Sequence, residues 1–526
     1  MKPFNFYDWQ IKAFEAIKDK NAVLSSPTGS GKTLVAYLWA GLLNIDGTTA
    51  DPQEERVIFT APIKALSNER YMDLRRMGFD VGIETGDFKR NTGARLLCCT
   101  QEIYTLKYSS FQGQKLIIDE FHYIFTDPHR ARAYIDGIRE THPSTNILVM
   151  SATFGGTRSV GNYLARITGG DFTVYENHER ATKLVFQTKR GFRLGKIHDA
   201  LVFLFSQKGA SKLALRLSKD RKRIKRDKRK RLYEIADILD VPKVMPPLLR
   251  GVGVYHGGML PKEKILVESA FRERIIDVVV GTNALALGVN LPAEYAIFAQ
   301  LVMYHDEKPI SRNEFLQMAG RAGRKGLFDT GYVSWLIDSP FEHRGFNTGW
   351  IFRKLARANP EDASVTLKPA YGKLLRREVT IEDEAHYISV FSMPTLNPHL
   401  VGEELRENLR TIDRAIRQIV SAEDRSRFRR ILADIWYEEM DVEENLEMAD
   451  LFLSEERPDA LAAADIISYR ERNYLQALLR IKRYANRLPR GYEFKGLGAL
   501  DATINSIDGT IFGFEEIIEE IEETSR

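Results

Sequence analysis

The chain has 526 residues, 44% hydrophobic and 28% charged, and its 76 Lys and Arg against 72 Asp and Glu give a net charge of +4. A soluble chain of this size divides into about three or four domains of ~100–200 residues and buries its cores without disulfides. Two adjacent cysteines, Cys98 and Cys99, exclude a disulfide framework and a cysteine-built zinc site; with no run of 18 apolar residues, no membrane span is expected, and +4 by itself names no partner.

The N-terminal residues Met1–Gln10 lack an apolar signal core, so a cytoplasmic location is expected, with a nuclear one left open. Beyond them, short β-branched or leucine-rich runs alternate with helical stretches. Asn21–Ser25 reads as a strand and Lys32–Leu43 as a helix; Arg56–Ala61 and Ser67–Met77 repeat the pattern. Arg95–Cys99, Lys115–Asp119 and Asn146–Met150 are further buried-strand runs. Such alternation predicts βαβ units around a parallel sheet. The rhythm restarts after about residue 180, with strands at Lys183–Gln187, Ala200–Phe205, Gly251–Tyr255, Asp277–Val280, Tyr295–Leu301 and Gly331–Ile337 and a helix at Lys262–Arg274. From about residue 345 a helical period dominates, at Glu403–Ile419, Asp424–Met440, Pro458–Arg487 and Asp501–Glu523, with a small mixed piece at Val365–Phe391. The expected fold class is α/β: two tandem parallel-sheet domains, 1–170 and 180–342, then a mostly helical region, 343–526.

Residues 24–33, Leu-Ser-Ser-Pro-Thr-Gly-Ser-Gly-Lys-Thr, lie between a strand and a helix. The backbone N–H groups of such a loop point at phosphate oxygens, and the helix N-terminus adds positive partial charge. Thr28, Gly29, Ser30 and Gly31 form the cradle, Lys32 reaches the β/γ-phosphates, and the Thr33 hydroxyl suits Mg²⁺. The strict motif has glycine six residues before the lysine, where this chain has Ser26. Lys115–His122 (Lys-Leu-Ile-Ile-Asp-Glu-Phe-His) delivers Asp119 to a strand's C-terminal end, where α/β sheets bind ligands. Asp119 suits a hydrated Mg²⁺, and Glu120 can polarise an attacking water. Without the loop before it, this stretch would equally read as a strand and a solvated acidic turn. In the second half, Gln317-Met-Ala-Gly-Arg-Ala-Gly-Arg324 opens or caps a helix, and its spacing predicts Arg321 and Arg324 on one helix face. Alone they would be a basic surface patch; with a P-loop they suit arginine fingers.

These segments, with Ser151-Ala-Thr153, resemble the superfamily 2 DExH-box helicases. More specifically they are similar to the Ski-like (superkiller-like) branch, which includes helicase cofactors of the RNA exosome. Ala61-Pro-Ile-Lys-Ala-Leu-Ser-Asn68, Thr85-Gly-Asp87, Thr100-Gln-Glu-Ile103, Tyr255-His-Gly-Gly-Met-Leu-Pro261 and Gly281-Thr-Asn-Ala-Leu-Ala-Leu-Gly-Val-Asn-Leu-Pro292 resemble that branch's further motifs. The likeness covers roughly 5–340 in the family's order and fades beyond it, where 365–375 faintly resembles the entry to a winged-helix region, reduced here to about 365–391. Phe121, where many relatives carry a smaller residue, and the basic run Lys219–Arg231 depart from the pattern.

The resemblance implies two RecA-like lobes with ATP and Mg²⁺ between them. Lys32, Glu120, Arg321 and Arg324 would be catalytic, with Gln317 positioning the site. Gln10, after Tyr7-Asp-Trp9, would read adenine, unless it is a helix N-terminal glutamine among core aromatics. Gly288 and Asn290 would face the nucleotide and the lobe interface, and Ser151 and Thr153 would couple ATP state to that interface. Pro62, Lys64, Thr85, Gly86, Thr100, Gln101, His256, Gly257 and Thr282, all on loops at strand C-termini, are expected to hold a nucleic-acid backbone. Val302–Pro309 either tips a strand-separating hairpin or is a plain loop. The implied activity is 3′-to-5′ translocation and unwinding by a monomeric motor on single-stranded or partly duplex nucleic acid. RNA is preferred, with a nuclease or RNA-processing partner and no membrane. A DNA-repair helicase and an ATP-gated clamp that does not separate strands remain alternatives. Lys219–Arg231, with ten Lys/Arg and two Asp, is either a phosphate-binding run or a solvated surface. The ten histidines show no metal-ligand spacing.

Overall fold

The structure is a computed structural model that describes residues 3–508, apart from 51–54, 86–87, 127, 153, 287–290, 292, 304–307, 326, 338, 342–344, 439 and 472–473. In the first α/β half the strands are β1 (Ala22–Ser25), β2 (Arg56–Ala61), β3 (Val81–Glu84), β4 (Lys89–Arg90), β5 (Leu96–Thr100), β6 (Gln114–Ile118), β7 (Asn146–Ser151) and β8 (Thr173–Glu176). They form one sheet in the order β4-β3-β5-β2-β6-β7-β1-β8. All neighbours pair in parallel except the short β3–β4 hairpin. The central strands are apolar on both faces because helices cover both, and Cys98 and Cys99 in β5 are fully buried members of that core.

The second half has β9 (Lys183–Phe186), β10 (Ala200–Phe203), β11 (Val252–Tyr255), β12 (Val278–Gly281), β13 (Tyr295–Phe298) and β14 (Thr330–Trp335). Their order is β11-β12-β10-β13-β14-β9, all parallel. The expected α/β class therefore holds in both halves. Strands β3, β4 and β8 carried too little apolar patterning to be read from sequence. The basic run is also structured: it leads into a helix, Arg226–Ile238, whose Leu232, Ile235 and Ala236 are buried.

The chain divides into two compact units. One holds the chain through His122 together with Thr141–Ala363, and so contains both sheets. The other holds Tyr123–Glu140 and the described residues from Ser364 to Asp508. The helix Pro128–Glu140 belongs to the second unit because its polar residues find partners there. Arg132 donates from Nη1 and Nη2 to the carboxylate of Glu384, the Nη2–Oε2 distance being 3.3 Å, and from Nη1 to the Lys368 carbonyl at 3.0 Å. The Tyr387 hydroxyl donates to Asp136, and the Arg139 guanidinium lies over the Tyr387 and Phe391 rings.

The rest of this unit is helical, as expected. Pro398–Ile419 buries Gly402, Leu405, Ile412 and Ile416 along one face, and Asn397 caps it by accepting from the His399 N–H at 2.9 Å. Asn445, fully buried, bonds to the Tyr437 backbone and accepts from the Tyr484 hydroxyl at 2.7 Å, so that polar group is satisfied within the core. Pro458–Arg487 is two helices, Ala460–Glu471 and Tyr474–Ala485, rather than one stretch. At 365–391, two helices and one isolated bridge, Val365–Met393, stand where a reduced winged-helix piece was expected, and among the described residues no wing of paired strands is present there. No described helix is long and apolar enough to cross a membrane.

Glu384 is 2% exposed. Removing its cationic partner leaves a buried carboxylate, so Arg132→Ala is expected to cost about 3–5 kcal/mol in the unfolding of this unit. The double variant Arg132→Ala/Glu384→Ala should lose clearly less than the sum of the single losses, as read from urea denaturation.

Candidate nucleotide site and nucleic-acid interface

The loop between β1 and the helix Lys32–Ala40 turns through two left-handed glycines, Gly29 (φ +78°) and Gly31 (φ +90°), a backbone that side-chain-bearing residues rarely adopt. Ser26, where the strict motif has glycine, is fully buried. Its Oγ lies 2.6 Å from the Ser30 Oγ and accepts from the Asn177 amide at 3.0 Å. The departure is thus an internal clamp on the loop, and it engages Ser30 rather than leaving that side chain to the cradle. Asn177, which sequence reasoning missed, also donates from its backbone N–H to the Ser25 carbonyl.

Gln10 is placed differently from the adenine-reading expectation. Its Nε2 donates to the Gly31 carbonyl at 2.9 Å, its Oε1 accepts from the Tyr7 N–H at 2.8 Å, and the side chain is fully buried. With both ends of the amide engaged and no exposed surface, it braces the loop from behind.

Lys32 points across the sheet edge to Glu120. Its Nζ lies 3.3 Å from both carboxylate oxygens, and His122 Nδ1 lies 3.3 Å from Glu120 Oε2. Burial pushes the Glu120 carboxyl up, but Lys32, His122 and Arg321 outweigh it and hold it well below the ordinary carboxylate range. Burial pushes His122 down, against the pull of Glu120. Phe121 is fully buried and donates its N–H to the Met150 carbonyl. The larger residue at this position packs into the core.

Asp119 Oδ2 accepts from Arg70 Nη2 at 3.0 Å, and the same nitrogen lies 3.4 Å from the Thr33 hydroxyl. Arg70, on the helix Lys64–Arg76, also donates to the Tyr37 hydroxyl at 3.0 Å. Two hard oxygen donors thus converge on one point that already accommodates positive charge, which fits a divalent cation. Arg70 carries no local sequence signal beyond being a charged residue in a helix.

The arginine pair is not on a helix face. The helix Arg312–Ala319 ends before it, and residues 320–324 form a turn with Gly323 left-handed (φ +81°). Arg321 donates from Nε to the Ala286 carbonyl at 3.0 Å. Arg321 and Arg324 nevertheless line the same cavity, of about 670 Å³, as Thr28, Gly29, Gly31, Lys32, Thr33, Asp119 and Glu120. That volume suits a small-molecule ligand. Gln317 is half-buried on the preceding helix and does not line the cavity. Arg180, also missed, donates to the Gly320 and Ala322 carbonyls at 3.2 and 3.4 Å, tying the joint between the sheets to this turn.

Ser151 ends β7 beside the loop, and its carbonyl accepts from the Ser26 N–H at 3.1 Å. Thr153, Gly288 and Asn290 lie outside the described residues, as does Gly86. The remaining backbone-holding candidates all follow strand C-termini: Pro62 and Lys64 after β2, Thr85 after β3, Thr100 and Gln101 at β5, His256 and Gly257 after β11, Thr282 after β12. Lys64 and Gly257 are exposed and His256 is half-buried, whereas Pro62, Thr85, Thr100 and Thr282 are buried. Gln101 is fully buried, so its side chain does not reach the surface as expected. Val302 and Pro309 form an antiparallel bridge at the base of the expected hairpin, whose 304–307 lie outside the described residues. His198, Asp199 and Glu294 come within ligand distance of one another, a cluster invisible in linear spacing, but Asp199 is paired with Arg274 at 3.1 Å.

Residues 7–160 match the DEAD/DEAH box helicase family and 228–326 match the helicase conserved C-terminal domain. The chain is 28% identical over 424 residues to mRNA transport homolog 4 of Caenorhabditis elegans, covering 64% of this chain and 40% of that protein. It is 27% identical over 416 residues to the exosome RNA helicase MTR4 of Homo sapiens, covering 64% and 39%. The chain thus spans about two-fifths of the length of these relatives. A crystal structure of the DUF1998 helicase MrfA bound to DNA shares the fold, with a TM-score of 0.51 and 18% identity over 73% of this chain and 52% of that one. By the two family matches, the chain carries a DEAD/DEAH box helicase domain and a helicase C-terminal domain, and by these relatives and its own motifs it is similar to the Ski-like branch of the superfamily 2 DExH-box helicases.

Proposed function

We propose that the chain is an ATP-driven RNA helicase that steps 3′-to-5′ along a single strand and separates duplexes. One observation carries the reading: Lys32, Thr33, Asp119, Glu120, Arg321 and Arg324, from three distant stretches of sequence, line one cavity. The RNA preference rests on the relatives named as RNA helicases. The motor acts as a single chain and serves a nuclease or RNA-processing partner.

The reaction is phosphoryl transfer from ATP to water. The backbone amides of 28–31 and the following helix N-terminus bind the phosphates, and Lys32 takes the β/γ oxygens. Lys32 cannot neutralise Glu120 and a phosphate fully at once, so the phosphate competes for Nζ and frees Glu120 to orient the attacking water. Thr33 and Asp119 would hold Mg²⁺, which supplies charge neutralisation at the phosphates when bound. Arg321 and Arg324 stabilise charge that develops on the transferred group. Ser151, Thr153, Gly288 and Asn290 pass the nucleotide state to the strand-holding loops. There Lys64, His256 and Gly257 touch the backbone directly, and Pro62, Thr85, Thr100 and Thr282 shape the loops that do so. Closure and release of the cleft then become a step along the strand.

Steady-state ATPase assays with single-stranded RNA, single-stranded DNA or no polymer, at two salt concentrations, test the reading. RNA is expected to stimulate turnover. Glu120→Gln should lower stimulated kcat by about 10²–10⁴-fold while nucleotide binding persists. Stimulation by DNA equal to or above that by RNA would favour the DNA-helicase alternative, and none by either would defeat the autonomous motor.

Arg324→Ala should lower kcat by about 10³-fold or more with little change in nucleotide affinity in the absence of RNA, as an arginine finger requires. Replacing residues 304–307 by two glycines should abolish unwinding of a tailed duplex while leaving RNA-stimulated ATPase activity. Unchanged unwinding would remove the strand-separating hairpin and leave Val302–Pro309 a plain loop.

A further inference from the structure

The basic run is part of a larger feature. From Lys208 to Arg231 the chain carries thirteen Lys and Arg against two Asp, a charge of +11 in a protein whose total is +4. The rest of the chain is therefore net acidic, and the cations are concentrated rather than scattered.

The structure sorts these cations into two groups. Four have partners. Arg221 pairs with Asp277, Lys228 donates to the Arg274 carbonyl, Lys230 lies 3.6 Å from Glu234, and Arg231 pairs with Glu273 at 2.8 Å. All but the Lys230–Glu234 pair, which lies within the helix Arg226–Ile238, pin the turn and that helix onto the second sheet's domain. The other nine have no ion pair among the described residues: Lys208, Lys212, Arg216, Lys219, Lys222, Arg223, Lys225, Arg226 and Arg229. All but the half-buried Arg229 are exposed.

Their placement is ordered. In the helix Gln207–Lys219, Gly209, Ala210, Leu213, Ala214, Leu217 and Ser218 are buried, while Lys208, Lys212, Arg216 and Lys219 share the outer face. Successive i,i+4 cations stand about 6 Å apart along the axis, and the helix is about 20 Å long. It contains no acidic residue. At its start it touches a candidate strand-holding loop: a Cβ on Gly258 would meet Gln207 Oε1 at 2.5 Å. At its end it runs directly into the exposed turn 219–226. A continuous positive ridge thus leads away from the His256–Gly258 loop.

We infer that this ridge is a second nucleic-acid surface, which takes the phosphate backbone of the strand beyond the part held by the motif loops. The inference rests on the reading of the chain as a nucleic-acid motor. Charge of one sign, regular spacing and continuity with the strand-holding loop favour a polyphosphate chain over a compact anion. Nothing in the ridge reads bases, so the contact is sequence-independent and raises residence on the strand without altering chemistry at the nucleotide.

Fluorescence anisotropy with labelled single-stranded oligouridine, measured on the full chain over a salt series, tests it. Two variants are compared with wild type: Lys212→Gln/Arg216→Gln/Lys219→Gln on the helix, and Lys222→Gln/Arg223→Gln/Lys225→Gln/Arg226→Gln in the turn. The partnered Arg221, Lys228 and Arg231 stay intact, so both variants should keep the wild-type Tm. Each is expected to bind RNA at least tenfold more weakly at low salt. The slope of log K against log salt should shrink by about 0.7 for every contact removed. The charge-keeping variant Arg223→Lys/Arg226→Lys should bind as wild type does. Wild-type affinity and slope in both Gln variants would overturn the ridge alone, and so would unchanged RNA binding with lost capture of a polyglutamate peptide. Absence of RNA binding by the wild type would overturn the motor reading with it.

Discussion

The buried ion pair between Lys32 and Glu120 sets the geometry on which the cavity depends. Their side chains are 9% and 22% exposed, and an unpaired charge so placed costs several kcal/mol. The two residues leave β1 and β6, which are separated in the sheet by β7. With strands about 4.8 Å apart, the pair must bridge roughly 10 Å between its two strands, which suits two long side chains. β7 ends in Ser151 followed by Ala152, both small, so nothing bulky stands between them. The backbone is set for this reach at both ends: Gly31, just before Lys32, is left-handed, and Glu120 itself is at φ +51°. A glutamate in that conformation is strained unless its surroundings hold it, and such strain gathers at functional sites.

Sheet order then separates two kinds of work. Because the strands are parallel, every loop after a strand C-terminus lies on the same edge. In the first sheet β6, β7 and β1 are neighbours and carry Asp119, Glu120, Ser151 and the phosphate loop, while β3, β5 and β2 are neighbours and carry Thr85, Thr100, Pro62 and Lys64. One half of the edge carries the proposed nucleotide site and the other the strand-holding candidates. The boundary between β2 and β6 is crossed by Arg70, whose helix starts at Lys64, and whose guanidinium reaches Asp119. A change at the nucleotide is therefore one rigid helix away from the loop that begins with Pro62.

The parts legible in the sequence were those whose function is local. A phosphate loop, an acidic strand end and an arginine turn each place their chemistry within about ten residues, so linear spacing suffices. The alternation of buried strands and helices likewise fixed the α/β class before any coordinates. What could not be read depended on partners far away in sequence. Ser26 looked like a defect in a motif, yet its hydroxyl is held by Asn177, 151 residues on. Gln10 looked like a base reader until the Gly31 carbonyl claimed its amide. Arg321 and Arg324 were spaced for a helix that ends before them at Gly320, so the turn aims them instead. The helix Pro128–Glu140 follows the acidic motif directly, but its arginine finds its carboxylate 252 residues later. Sequence spacing is silent on such pairs because it carries no information about which distant surface arrives.

The charges around the cavity suggest how it responds to a polyanion. Its wall includes six cations, Lys32, Arg70, Arg76, Arg321, Arg324 and Lys325, and four carboxylates, Glu69, Asp73, Asp119 and Glu120. Lys32 is matched with Glu120, and Arg70 with Asp119 and, more loosely, Asp73. Burial pushes the carboxyl of Glu69 up against the pull of Arg70 and Arg321. Pairing keeps Lys32 and Arg70 aligned at modest electrostatic cost, because each sits beside a counter-charge. A triphosphate brings oxygens that compete for those cations, and the carboxylates it displaces, Glu120 and Asp119, are the groups suited to water and metal. In the proposed reaction, binding and activation are thus one exchange of ionic partners, in which the phosphates take Lys32 and release the Glu120 carboxylate to the attacking water.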